Sequence, residues 1–289
     1  DAMFPKKTRK EWVEYVISQY LVGILTTTSL SLRLAMIAPQ LKAATIGWQH
    51  NCYDGYLHVK PVVFWQQENL LQQYLPNLDR YIVLSDYDKR DYMEKLGIDC
   101  EVKINPRSFV SEKKCDVKSK RFLMATRFVY AKGLDLMMES FEEFCKEDSE
   151  WELDIIGDGD LFDQIRADAK KRHLEKRVHF VGYTNEPEKY YLNSSVFLLP
   201  SRWEGWPMVI MEAFEFGLPV IAYHMGAMDL IIDDGKTGFL PEAFDPHKFA
   251  QAMLKLAHDE ELRARMSATA IAKSDDFSID KAVNEWDGL

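Results

Sequence analysis

Apolar residues recur at helical spacing over residues 12–25 and again over 30–38, where Pro39 stops the second run. Ala44–Trp48 is a short apolar run and reads as a buried strand. Helical spacing returns over 65–74. An apolar run over 80–85 reads as a strand, and the helix after it, 88–96, stops at Gly97. A last short strand over 102–105 is closed by Pro106. Strand and helix alternate, which predicts a parallel sheet, because parallel strands need crossover connections. With only about three strands, residues 1–110 read as a partial Rossmann-like domain. Residues 111–120, SEKKCDVKSK, offer almost nothing to bury and read as an interdomain linker.

After that segment the alternation restarts with clearer punctuation. Strands are expected at 121–126, at 151–156 ending on Gly157, at 178–181 ending on Gly182, at Val196–Leu199 and at 219–223. Helices are expected at 134–145, 161–171, 187–193, Met208–Phe216 with Gly217 as its cap, Pro246–Ala257 and 260–273. This makes residues 121–273 a doubly wound α/β domain. The tail, 274–289, is amphipathic with Trp286 and is expected to form a helix that packs back on the N-terminal domain. There are no internal repeats.

Composition narrows the class. Hydrophobic residues make up 47% and charged residues 28% of 289, the profile of a soluble globular chain. The net charge of -10 argues against nucleic acid as a partner. The charge is uneven: residues 1–110 hold 13 Lys+Arg against 12 Asp+Glu, and the rest hold 23 against 34. Cys52, Cys100, Cys115 and Cys145 form no C-x-x-C pair, which fits a reduced, cytoplasmic setting. No signal peptide is read. The longest apolar stretches, such as 20–26, are too short to span a bilayer. Membrane contact is therefore expected to be peripheral at most, at the inner face of the cytoplasmic membrane. Lys6, Lys7, Arg9 and Lys10 could serve it, but a solvated helix start is the simpler reading.

Two motifs carry candidate chemistry. In EGWPMVIME, Glu204 and Glu212 are separated by seven residues, after the strand VFLLPS and into the next helix. Glu204 is placed in the loop and Glu212 about one turn into the helix, both at the carboxyl edge of the sheet, where open α/β sheets bind ligands. The amides of Gly205, Met208 and Val209 open that helix and suit an anion. A carboxylate suits paired sugar hydroxyls. A loop carboxylate and a surface helix residue would give the same spacing. The second motif, RFVYAKG, puts Arg127 and Lys132 between a strand and a helix, where a fork and a point charge suit a diphosphate. Two solvated loop cations are the plain reading. Asp158-Gly-Asp160 spells a D-x-D metal pattern, but after IIG a Gly-rich turn into a helix is the simpler reading, and no metal is expected. His50, after a buried strand, reads by itself as a hydrogen-bonded structural residue.

Taken together, ATRFVYAKGLDLMMESF, LDIIGDGDL, VHFVGY, LLPSRWEGWPMVIMEAFEFGLPVIA and DDGKTGFL resemble the family 4 glycosyltransferases, closely over 121–273 and more weakly through TIGWQHN, YIVLSDYDKRDY and VKINP. The resemblance implies the GT-B fold, two Rossmann-like domains facing across a cleft, and retaining transfer from a nucleotide-sugar to a glycan or lipid-linked acceptor, as in bacterial polysaccharide biosynthesis. It implies that Glu212 binds ribose hydroxyls, that Glu204 lies near the donor sugar, and that Arg127 and Lys132 clamp the diphosphate. Gly157, Val181 and Gly182 would wall the nucleotide, and His50 would reach toward the donor sugar. UDP is the expected carrier. The chain departs from the family in lacking an N-terminal Gly-rich loop and in having Gly226-Ala-Met-Asp229 where a Gly-Gly-Pro-x-Glu-like turn is usual. Two readings keep the fold and change the chemistry: a nucleotide-sugar epimerase or phosphorylase, and a non-catalytic nucleotide-sugar-binding module.

Overall fold

The structure is a computed structural model and describes residues 23–27, 29–58 and 67–286. Two compact units divide between Ile104 and Asn105. In the first, strands β1 (Gly23–Thr27), β2 (Ala44–Trp48), β3 (Arg80–Val83) and β4 (Glu101–Val102) form a parallel sheet in chain order. β1 corrects the helical reading of 12–25. Gly23–Leu25 pair in register with Ala44–Ile46, and the earlier part of that expectation lies outside the described residues. Gly23 is a poor helix former and Ile24, Thr26 and Thr27 are β-branched, so local propensity favours the strand. Four strands, rather than three, are therefore present among the described residues.

Helices α1 (Ser29–Ile37), α2 (Tyr53–Leu57), α3 (Glu68–Tyr74) and α4 (Asp86–Leu96) connect them. α4 is stopped at both ends by local chemistry. The Ser85 hydroxyl accepts the Asp88 amide at 3.1 Å, and Gly97 closes the helix at φ 69°. α2 had no sequence signal. Its start is held by the buried Asp88 carboxylate, which accepts the Tyr53 amide at 2.8 Å.

The second unit carries β5 (Arg121–Ala125), β6 (Glu152–Ile156), β7 (Val178–Gly182), β8 (Val196–Leu199), β9 (Val220–Ala222) and β10 (Gly238–Phe239). All pairings are parallel, in the order β10-β9-β8-β5-β6-β7. The chain starts in the middle of this sheet, winds out through β6 and β7, and returns to the other side of β5 through β8. β5 and β8 are thus the neighbours between which the winding direction reverses, and their carboxyl ends form the switch point.

Alternate residues Phe122, Met124, Leu153 and Ile155 share a core with α5 (Leu134–Phe144) and α10 (Pro246–Ala257). α8 (Met208–Phe216) packs with α11 (Glu260–Ser274). The remaining helices are α6 (Phe162–Lys171), α7 (Glu188–Asn193), the short α9 (Met228–Ile231) and α12 (Ile279–Trp286). Neither α9 nor β10 was expected. Among the described residues no helix is long and apolar enough to cross a membrane.

Residues 111–120 are not a free linker. The Cys115 amide donates to Phe216 O at 2.7 Å, the Asp116 amide to Leu192 O at 3.1 Å, and the Ser119 hydroxyl to Asn193 O at 2.5 Å. The anchor is Glu215, 2% exposed. Its carboxylate receives Arg107 Nη1 at 2.7 Å, the Ser111 amide at 2.9 Å and Lys114 Nζ at 3.0 Å. A polar segment with nothing to bury is held because it neutralises a carboxylate that would otherwise be buried alone. Burial pushes the Glu215 carboxyl up, but the Ser111 amide, Lys114 and Arg107 outweigh that and hold it below its ordinary value of 4.5.

A carboxyl whose folded pKa is lowered adds stability that is complete above its unfolded value and lost as pH falls through the folded one. Glu215→Ala strands Arg107 and Lys114 and is expected to destabilise the unit by about 3 kcal/mol in urea unfolding. The gap between wild type and Glu215→Gln is expected to narrow as the pH falls below the ordinary glutamate value of 4.5.

Candidate active site

Three loops meet at the carboxyl ends of β5, β6 and β8, and backbone packing sets how closely. Gly133 has φ 62°, and a Cβ there would stand 1.9 Å from the Pro200 carbonyl oxygen. Gly157, at the end of β6, has φ 124°, and a Cβ there would stand 1.8 Å from Thr126 O. Only glycine satisfies both the positive φ and the contact. Further hydrogen bonds join the loops: Arg202 N to Ala131 O at 2.7 Å, Phe128 N to Asp158 O at 2.9 Å and Gly157 N to Gly182 O at 2.9 Å.

The pocket between them has a volume of about 340 Å³ and is lined by Thr126, Arg127, Lys132, Gly157, Tyr183 and Val209, among others. Lys132 Nζ donates to Glu204 Oε1 at 2.6 Å, and the Ser201 hydroxyl donates to the same oxygen at 2.6 Å. The two charged side chains are 17% and 9% exposed, so each is largely removed from water and each depends on the other for neutralisation. Arg127 is exposed at the rim. Met208 and Val209 open α8, which starts without a side-chain cap. Their amides lie in the first turn, where helix N–H groups have no partner within the helix. Glu212 follows about one turn on, and its Oε2 accepts the Tyr191 hydroxyl at 2.9 Å. Tyr191 is itself stacked between Phe197, at 5.9 Å, and Phe216, at 5.0 Å.

Most of the residues expected from the sequence converge. Arg127, Lys132, Gly157 and Val209 line the pocket, Glu204 is joined to it through Lys132, and Gly205, Met208 and Glu212 belong to the same loop and helix. Val181 does not line it. Its side chain lines a separate depression with Arg121, Asp154 and His179, while Tyr183 and Thr184, just past Gly182, line the first. His50 belongs to the first unit, at the carboxyl end of β2, with its ring 4.5 Å from that of Trp48 and its pKa lowered by burial. In the D-x-D segment, Asp158 Oδ1 accepts the Gly159 amide at 2.8 Å, the bond of a tight turn. Tyr191, Ser201 and Arg202 were not anticipated. Tyr191 reaches Glu212 across 21 residues, and nothing local announces such a pair.

The family described as "Glycosyl transferases group 1" matches residues 108–273, more than half of the chain. The chain belongs to the group 1 glycosyltransferases. An uncharacterized glycosyltransferase of Haemophilus influenzae is 28% identical over 214 residues, covering 73% of this chain and 61% of that protein. The poly(ribitol-phosphate) alpha-N-acetylglucosaminyltransferase of Staphylococcus aureus is 26% identical, covering 77% and 46%. The chain therefore spans about half to three-fifths of the length of these relatives. Among solved structures, S. aureus TarM superposes with a TM-score of 0.84 at 21% identity, covering 95% of this chain and 56% of that one. Sucrose-phosphate synthase from Thermosynechococcus elongatus gives 0.84 at 18% identity, covering 97% and 76%. These likenesses show the GT-B fold.

Gly133→Ala forces a backbone clash and an unfavourable φ at once. It is expected to lower stability by at least about 1 kcal/mol and to weaken ligand binding at this edge, measured by thermal unfolding and by titration.

Proposed function

We propose that this chain handles the donor for a retaining glycosyltransferase that moves a sugar from a nucleoside-diphosphate sugar, with UDP as the carrier, to a hydroxyl of a glycan or lipid-linked acceptor. One observation carries this: Arg127, Lys132 and the start of α8 converge on one pocket at the switch point of the sheet, with Glu204 paired to Lys132. A TarM structure described as holding UDP and the poly(ribitol-phosphate) relative support the same donor and acceptor classes.

The reaction breaks the bond between sugar C1 and the phosphate oxygen and forms one from C1 to the acceptor oxygen. Negative charge grows on the leaving diphosphate. Arg127, Lys132 and the first amides of α8 are placed to stabilise it, each such preorganised group being worth about 3 kcal/mol. An ammonium has three donors, so Lys132 can keep Glu204 and still meet phosphate. The leaving phosphate takes the acceptor's proton on the same face, which gives retention. Glu212, held by Tyr191, binds the ribose hydroxyls, and the Glu204 carboxylate lies by the donor sugar. His50, whose pKa burial lowers, is suited to act as a neutral hydrogen-bonding group rather than as a cation. The protein's own cations supply the positive charge, so the reading needs no metal.

Lys132→Ala and Glu212→Ala are each expected to cut kcat/KM about a hundredfold or more, assayed where each variant remains folded, because Lys132→Ala also leaves the shielded Glu204 without its cation and lowers the thermal midpoint. Near-normal transfer in either would overturn the assignment. Turnover is expected to survive EDTA, and the product anomer, read by NMR, is expected to match the donor. A nucleotide-sugar-binding module is the competing reading. Binding of UDP with no release from any UDP-sugar, acceptor present, would favour it.

A further inference from the structure

Arg202 stands two residues before Glu204 and makes more polar contacts than a surface arginine needs. Its Nη1 donates to Asp135 Oδ1 at 2.8 Å and its Nη2 to Asp135 Oδ2 at 2.5 Å, a two-pronged pair across 67 residues. Nη1 also donates to the Tyr130 carbonyl at 2.9 Å, and the guanidinium lies 4.0 Å from the Tyr130 ring centroid. The Arg202 amide donates to Ala131 O at 2.7 Å. One residue thus grips the other loop at 130, 131 and 135, on both sides of Lys132. The Arg202 side chain is 14% exposed and that of Asp135 50%, so the guanidinium is buried against the loop while its partner faces water.

Lysine is a point charge on a flexible stem and does not place itself. Glu204 alone cannot place it either, because Glu204 rides on the loop that Arg202 anchors. We propose that Arg202 is a positioning residue: its fork on Asp135 and Tyr130 sets the Lys132 ammonium and the Glu204 carboxylate at the spacing a nucleoside diphosphate and its sugar require. This rests on the functional reading above. Arg202 acts through Lys132 and touches no substrate.

The test is a double-mutant cycle read by calorimetric titration of the full chain with UDP and GDP. Arg202→Ala is expected to weaken UDP about tenfold, because a displaced binding group loses most of its value. Arg202→Lys, which keeps the charge and loses the fork, is expected to recover only part of that. In a Lys132→Ala background, Arg202→Ala is expected to have no further effect on UDP affinity, the mark of groups acting as a unit. A merely structural role would lower the thermal midpoint in both backgrounds and give additive losses of affinity. Additive losses, or unchanged affinity in Arg202→Ala, would overturn the proposal. If Arg202→Ala does not fold, Asp135→Asn completes the same cycle, and failure of both to fold assigns Arg202 to stability and overturns it. A wild type that binds neither UDP nor GDP overturns the functional reading, and the proposal with it. A wild type that binds UDP normally while the cycle fails overturns the positioning role alone.

Discussion

A backbone carbonyl, that of Pro200, occupies the place where Gly133 would carry a side chain. The contact lies where the sheet reverses its winding, so the loops after β5 and β8 must leave the sheet side by side. The Lys132–Glu204 pair of the candidate site depends on that approach. Lys132 precedes Gly133 and Glu204 follows Pro200 by four residues, and the two meet at 2.6 Å only because the loops touch. The same approach brings Arg202 within reach of Tyr130, Ala131 and Asp135.

Two shielded carboxylates do different work in one unit. Glu215 is satisfied on all sides by Arg107, Lys114, the Ser111 amide and Ser274, and it binds the entry segment to the sheet domain. Glu204 has one cation and one hydroxyl, and its cation lines an open pocket. A carboxylate neutralised from every side is a fastener. One that shares its cation with the pocket is placed to exchange part of that contact for a ligand, because the ammonium retains donors to spare.

The second unit was legible almost element by element, because several of its elements end on glycine: Gly157, Gly182 and Gly217 mark boundaries that the structure keeps. Arg127, Lys132, Glu204 and Glu212 were legible for a related reason. Arg127, Lys132 and Glu204 lie in loops that follow strands and Glu212 in the helix that one of those loops enters, and the carboxyl edge of a parallel sheet is where ligands bind. The first unit was less legible. Gly23–Leu25 continue an apolar run that fits helical spacing, and that run masked the local preference for a strand which the pairing with β2 realises. The polar stretch 111–120 reads as solvent-exposed because its partner, Glu215, is about a hundred residues away. Val181 was placed by its position in the chain, but it lines a separate depression with Asp154 and His179.

By itself the sequence determined the alternation of strands and helices, the glycines that permit tight turns, and the residue types available at each strand end, because these depend on local propensity and spacing. Which of those residues meet was decided by the tertiary structure alone. The pairing of β8 with β5 brought Glu204 to Lys132 and Arg202 to Asp135, across separations of 72 and 67 residues. Such contacts follow from sheet order and from how far shielded charges are removed from water, and neither quantity is written in any local stretch of the chain.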